Sequence, residues 1–127
     1  MEELVNVLIS TYNGEKYIKD QIDSILGQTY PNIRIYVRDD GSSDNTCNIL
    51  KEYEKAGKIV LFRGDNVKWG KSFLTLLKKA ETGSYWAFSD QDDVWLPDKI
   101  KWAVEWMKKQ DQTKPLLFHS SYKLMSA

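Results

Sequence analysis

The chain has 127 residues, 42% of them hydrophobic and 13% aromatic, which is one domain's length with enough apolar material for a core. Lysine plus arginine number 18 and aspartate plus glutamate 18, so no net field draws the protein to nucleic acid, and nucleic-acid binding is disfavoured. The lone Cys47 excludes an internal disulfide and a thiolate zinc site, and neither an apolar run of transmembrane length nor a basic secretion signal is present, so the expectation is a soluble cytoplasmic domain over 1–127.

In chain order, residues 5–9 form a near-continuous apolar run of strand length, and Tyr17, Ile18, Ile22, Ile25 and Leu26 follow at helical spacing. Gln28-Thr29-Tyr30-Pro31-Asn32 ends that helix. Ile33, Ile35 and Val37 alternate with Arg34, Tyr36 and Arg38, which predicts a strand apolar on one face only. Ser42 or Ser43 can cap a second helix carrying Ile49, Leu50 and Tyr53, and residues 59–62 read as a third strand. A third helix is expected after Gly70 with Phe73, Leu74, Leu77 and Ala80 on one face. Residues 85–89 then make a fourth strand, Ile100, Ala103, Val104 and Met107 mark a fourth helix, and residues 116–119 a fifth strand. This alternation predicts an α/β fold: a mostly parallel sheet with helices on both faces.

On that scheme the polar clusters all fall beyond carboxyl ends of strands. Tyr12-Asn13-Gly14 follows the first, Asp39-Asp40 the second, and Asp90-Gln91-Asp92-Asp93 the fourth. Carboxylates so crowded repel one another, and a hard divalent cation with oxygen ligands, Mg²⁺ or Mn²⁺, is the common way to neutralise them in a cleft. Side chains alternate along an extended chain, so Asp90 and Asp92 share one side and Asp93 faces elsewhere. The plainer alternative is a polar turn whose aspartates cap the helix opened by Pro97. Open α/β sheets bind ligands beyond the carboxyl ends of their strands, which favours a nucleotide-like ligand held through a cation. A glycine-rich dinucleotide fingerprint is missing after the first strand, and so is a phosphate loop ending in Lys-Ser or Lys-Thr. Receiver-type signalling domains carry an acidic pair after the first strand, where this chain has Ser10, Thr11 and Tyr12.

Residues 7–14 (Val-Leu-Ile-Ser-Thr-Tyr-Asn-Gly), Gln28-Thr29-Tyr30, residues 39–46 (Asp-Asp-Gly-Ser-Ser-Asp-Asn-Thr) and residues 90–97 (Asp-Gln-Asp-Asp-Val-Trp-Leu-Pro) together resemble the nucleotide-sugar domain of inverting family 2 glycosyltransferases of the GT-A, Rossmann-like fold. The match runs from about residue 4 to 110, and the wording around the aspartates is most similar to the rhamnosyltransferase-like bacterial subgroup. The resemblance implies a metal-dependent transfer of sugar from a UDP, GDP or dTDP donor to a saccharide or lipid-linked acceptor. It implies that Tyr12 stacks on the base, that Ser10, Asp39 and Asp40 meet the nucleoside, that Asp92 binds Mn²⁺ or Mg²⁺, and that Asp90 meets the metal or the ribose. Asp93 would face the sugar as a reserve catalytic residue or cap a helix, and Trp95 would wall the sugar site. Against these roles, Ser10 can serve as a strand hydroxyl bonded locally, Tyr12 as a core tyrosine, and Asp39 as the residue that closes the turn with Gly41. The chain stops after a strand that family members use midway, so the acceptor site, the general base and any peripheral contact with the inner membrane face are expected beyond residue 127. The alternative class is a Mg²⁺-binding signalling or nucleotide-binding module without transferase activity. A nucleotidyltransferase, the third reading, requires a basic glycine-rich loop after the first strand.

Overall fold

The computed structural model describes residues 3–80, 85–90 and 93–109, and the backbone of 117–119. Strands β1 (Val5–Thr11), β2 (Ile33–Asp39), β3 (Val60–Arg63), β4 (Tyr85–Ser89) and β5 (Leu117–His119) alternate with helices α1 (Ile18–Leu26), α2 (Thr46–Lys55), α3 (Lys68–Lys79) and α4 (Lys99–Lys108). The five strands form one sheet in the order β3-β2-β1-β4-β5, every neighbouring pair parallel. The chain therefore leaves β1 to one side through β2 and β3, then returns across it to β4 and β5. The strand order reverses between β1 and β4, and such a reversal opens a crevice at the carboxyl ends of the strands.

Pleating sorts the side chains between two cores. Val5, Val7, Ile9, Ile35, Val37 and Ala87 face a large cluster closed by Ile18, Ile22 and Ile25 of α1, Leu50 of α2, and Ile100, Val104 and Met107 of α4. Leu8 and Tyr36 point the other way and pack on Phe73 and Leu76 of α3, with Phe88 stacked on Phe73 at a centroid distance of 4.7 Å. All seven residues of β1 are buried, as a central strand covered on both faces requires.

The start and inward stripe of α3 and the cap of α2 differ from expectation. The alternation of β2 holds, with Ile33, Ile35 and Val37 on the main core, but its other face is covered as well: from Ile35 onward every residue is buried, because α3 lies over the face that carries Tyr36 and Arg38. Helix α3 starts at Lys68, ahead of Gly70, and buries Ser72, Phe73 and Leu76 while Leu74 and Leu77 stand exposed. Helix α2 opens at Thr46, and neither Ser42 nor Ser43 caps it. Among the described residues no helix is long and apolar enough to cross a membrane.

Candidate functional site

The loops beyond β1 and β2 are sewn to each other by side chains bonding backbone. Asn13 sits at φ 50°, a left-handed conformation that asparagine tolerates, and its Oδ1 accepts from the Ser43 N–H at 2.8 Å. The Asn13 N–H donates to Ser42 Oγ at 2.8 Å, and the Gly14 N–H to Thr46 Oγ1 at 2.9 Å. Asp44 Oδ1 takes the Thr46 N–H at 3.0 Å, satisfying a donor at the start of α2. Gly41 adopts φ 86°, where a Cβ would stand 3.1 Å from the Asn66 nitrogen, so the turn between these loops requires glycine.

The paired aspartates do different work. Asp39 is 2% exposed and folds back onto its own turn, accepting from Ser42 N–H at 2.9 Å, Ser42 Oγ at 2.6 Å and the Cys47 thiol at 3.2 Å. Burial, helped by that carboxylate, pushes the Cys47 thiol above its ordinary value. Asp40 is 3% exposed, and its Oδ1 accepts both Arg38 Nη1 at 2.6 Å and the Val67 N–H at 2.9 Å. Arg38 also donates to Ser72 Oγ at 3.1 Å and to the Asp65 carbonyl at 3.1 Å. Its guanidinium lies where a Cβ on residue 64 would fall, 2.4 Å from Nη2, so Gly64 leaves the space the ion pair occupies. Ser10 Oγ donates to Ser72 Oγ at 2.5 Å, completing a buried network that joins β1, β2, the loop after β3 and α3. Tyr12 follows the last residue of β1 with 44% of its surface exposed.

Across the switch point, β4 pairs with β1 through Ile9↔Ser89 and delivers the acidic turn to the same edge of the sheet. The turn closes on itself: the Asp93 N–H donates to the Asp90 carbonyl at 3.1 Å, and the Asp90 N–H to Asp93 Oδ2 at 3.3 Å. Asp90 and Asp93 are both part-buried. Asp92, the metal ligand expected from the sequence, lies with Gln91 outside the described residues. Among the described residues no three metal-ligating side chains converge. Carboxylate oxygen is nevertheless the donor type a hard divalent cation takes, and the turn presents it at a strand end. Lys99 reports the same field: burial lowers its ammonium below the ordinary value, while the charges of Asp93 and Asp90 pull it back up. Trp95 does not wall an open site; it is 4% exposed within the main core, with Lys99 Nζ 5.1 Å from its ring centre. Asp98 Oδ1 accepts from Thr29 Oγ1 at 2.7 Å and makes no side-chain cap to α4.

The arrangement thus brings Ser10, Tyr12, Asp39, Asp40, Asp90 and Asp93 to the carboxyl edge of three adjacent strands. A separate groove of about 440 Å³, lined in part by Leu26, Ile49, Tyr53 and Ala56, opens between α1 and α2. Lys19, Glu52 and Lys58 complete its lining, and none of the residues gathered at the carboxyl edge takes part in it. The sequence pattern assigned no site role to Arg38, Ser72, Gln21 or Ser24, and Gln28 stood only as part of a motif that ends the first helix; the side chains of Gln21, Ser24 and Gln28 reach the segment that follows β4. The available signal was a polar series at 21, 24 and 28 in phase with Ile18, Ile22 and Ile25.

A parallel sheet with an exposed aromatic, stitched loops and an acidic turn at its switch point belongs to the class of open α/β folds, whose crevice at the carboxyl ends of the strands is where such sheets take ligands. The profile of "Glycosyl transferase family 2" matches residues 6–119, and the chain belongs to that family. It is 40% identical over 103 residues to the "dTDP-rhamnosyl transferase RfbG" of Shigella flexneri, covering 76% of this chain and 36% of that protein. The structure of S. aureus TarS 1-349 in complex with UDP superposes with a TM-score of 0.74 at 29% identity, over 84% of this chain and 32% of that 1-349 chain. Mannosyltransferase PcManGT from Pyrobaculum calidifontis, in complex with GDP-Man and Mn²⁺, gives a TM-score of 0.74 at 25% identity over 84% of this chain and 33% of its own. The chain spans between 20% and 46% of the length of the curated relatives it matches. Its sheet and helices have the GT-A arrangement of these neighbours.

Proposed function

We propose that the protein carrying this chain moves a sugar from a nucleoside-diphosphate donor to a saccharide or lipid-linked acceptor, with inversion, in building a cell-envelope polysaccharide. The observation that carries this reading is the convergence of Tyr12, the Asp39-Asp40 turn and the acidic turn on one edge of β2, β1 and β4. It is supported by TarS, whose complexes hold UDP and UDP-GlcNAc, by PcManGT with GDP-Man and Mn²⁺, and by relatives named for dTDP-rhamnosyl transfer and teichuronic acid biosynthesis.

In this reading Tyr12 offers its exposed ring to the base, while Ser10, Asp39 and Asp40 frame the nucleoside end. Stacking on an aromatic face discriminates weakly among bases, which leaves uracil, guanine and thymine donors open to the same scaffold. Asp90 and Asp92 would hold Mn²⁺ or Mg²⁺, and Asp93 faces the sugar. The cation, when bound, supplies Lewis-acid screening of the diphosphate and of the charge on the departing nucleoside diphosphate. The rival reading, a cation-binding signalling module, predicts metal binding with no nucleotide preference.

Calorimetric titration of UDP, GDP and dTDP with and without Mn²⁺ separates the two. Binding of at least one nucleotide, strengthened by Mn²⁺, is expected. Tyr12→Ala should weaken nucleotide binding by about 1–3 kcal/mol, the scale of one lost stack. Asp92→Asn should remove the Mn²⁺ enhancement and leave metal-free nucleotide binding in place. Mn²⁺ binding indifferent to nucleotide would overturn the transferase reading.

A further inference from the structure

Gln21 is fully buried on α1, and a primary amide is costly to bury unless it is hydrogen-bonded. Its Nε2 donates to Ser89 Oγ at 2.8 Å and to the Asp90 carbonyl at 2.7 Å, while its Oε1 has no hydrogen-bond partner among the described residues. One turn further along, Ser24 Oγ accepts the Trp95 N–H at 3.0 Å and donates to the Gln21 carbonyl at 2.7 Å. Gln28, just past the helix, donates through Nε2 to the Leu96 carbonyl at 2.8 Å and accepts the Ile100 N–H at 3.0 Å. Thr29 continues the series, its N–H on the Pro97 carbonyl at 2.9 Å. Residues 21, 24 and 28 recur at three and four, so they lie along one face of the helix. That face grips the backbone of the segment after β4 from some seventy positions away in sequence, at Asp90 on one side of the acidic turn and at Trp95 on the other.

We propose that Gln21 and Ser24 are positioning residues for the acidic turn. They fix the backbone at Asp90 and Trp95 so that the Asp90 carboxylate stands ready for a divalent cation instead of being gathered by it. The proposal rests on the donor-site reading above. Packing alone gives a weaker account of Gln21. A methionine of similar length would fill the same space without leaving a buried oxygen unpaired, and the Asp90 carbonyl would keep its bond from the Asp93 N–H. Ligand-orienting groups behind a metal site commonly change metal affinity by about 10–100-fold when removed, although they never touch the ion.

The test uses the product of the whole reading frame that carries this chain, with MnCl₂ and UDP, GDP or dTDP as probes. Gln21→Met is expected to raise the Mn²⁺ concentration needed for half-maximal nucleotide enhancement by about tenfold, with metal-free nucleotide affinity unchanged. Ser24→Ala should act in the same direction, and Ser24→Thr, which keeps the hydroxyl, should restore the wild-type value. That pair carries the test if Gln21→Met does not fold. Wild-type Mn²⁺ dependence in both Gln21→Met and Ser24→Ala would overturn the proposal and leave the donor site standing. Parallel loss of metal-free binding would also overturn it, in favour of a general folding role. A wild-type protein without any Mn²⁺ enhancement would remove the donor-site reading itself.

Discussion

Arg38 and Asp40 show how far a residue's role can depart from its place in a pattern. In the sequence Arg38 belongs to the polar half of an alternating strand, and polar halves face water. In the structure it is 7% exposed, held 2.6 Å from Asp40 under α3. A desolvated pair of this kind adds little net stability while intact, but losing one member strands the other charge in a medium that cannot solvate it. Arg38→Met is therefore expected to cost about 3–5 kcal/mol in urea unfolding, well beyond the value for a surface arginine. The double variant Arg38→Met/Asp40→Leu should recover a large part of that loss, since it removes the stranded carboxylate as well. A single-variant cost below about 1 kcal/mol would mean that water reaches Asp40. Asp39 was legible in part: closing the turn was one of its two readings, and two of its three bonds, both from Ser42, serve that turn while the third comes from Cys47 in α2. Asp40 was not legible, because nothing adjacent in sequence announces that a helix thirty residues downstream will cover its partner.

At the scale of elements, the order and type of every strand and helix followed from periodicity, and β4 and the buried face of α4 agree residue for residue with expectation. The phase of α3 did not follow. Apolar residues at 73, 74, 76 and 77 allow two stripes a fraction of a turn apart, and hydrophobicity alone does not choose between them. Ser72 chooses: its hydroxyl accepts from Ser10 and Arg38, so the helix turns that side inward and takes Leu76 with it, leaving Leu74 half exposed. The consequence is measurable in this chain. Leu76→Ala should destabilise by about 2–5 kcal/mol, the usual cost of emptying a fully buried leucine site. Leu74→Ala should cost about 0.5 kcal/mol or less, as an exposed position does. Equal losses at the two positions would restore the stripe read from sequence. The polar series on α1 escaped notice for a related reason. Glutamine and serine on a helix are solvated more often than not, and only the return of the segment after β4 supplies their partners.

The molecule as a whole separates what one edge of a sheet can do from what a transfer reaction needs. Nucleoside, diphosphate and cation would all be met at the carboxyl ends of β1, β2 and β4, which these residues contain. Activating an acceptor hydroxyl needs a base within about 3 Å of its proton, on the face opposite the departing diphosphate. The described carboxylates near that edge are engaged: Asp39 with Ser42, Asp40 with Arg38, Asp98 with Thr29. Asp93 holds the Asp90 N–H through one oxygen and is the one carboxylate among these that the donor reading leaves facing the sugar. The 127-residue chain is therefore expected to bind nucleoside diphosphate about as tightly as the product of its whole reading frame. It is expected to transfer no sugar detectably, because the matched relatives place at least half of their length outside the stretch that this chain covers. The measurement is transfer from radiolabelled UDP-, GDP- and dTDP-sugars to a lipid and polysaccharide extract, run on both proteins with Mn²⁺ and with chelator. Metal-dependent transfer by the 127-residue chain at the rate of the product of the whole reading frame would refute the division and assign the base to Asp93, with Asp93→Asn as the variant that must then abolish it.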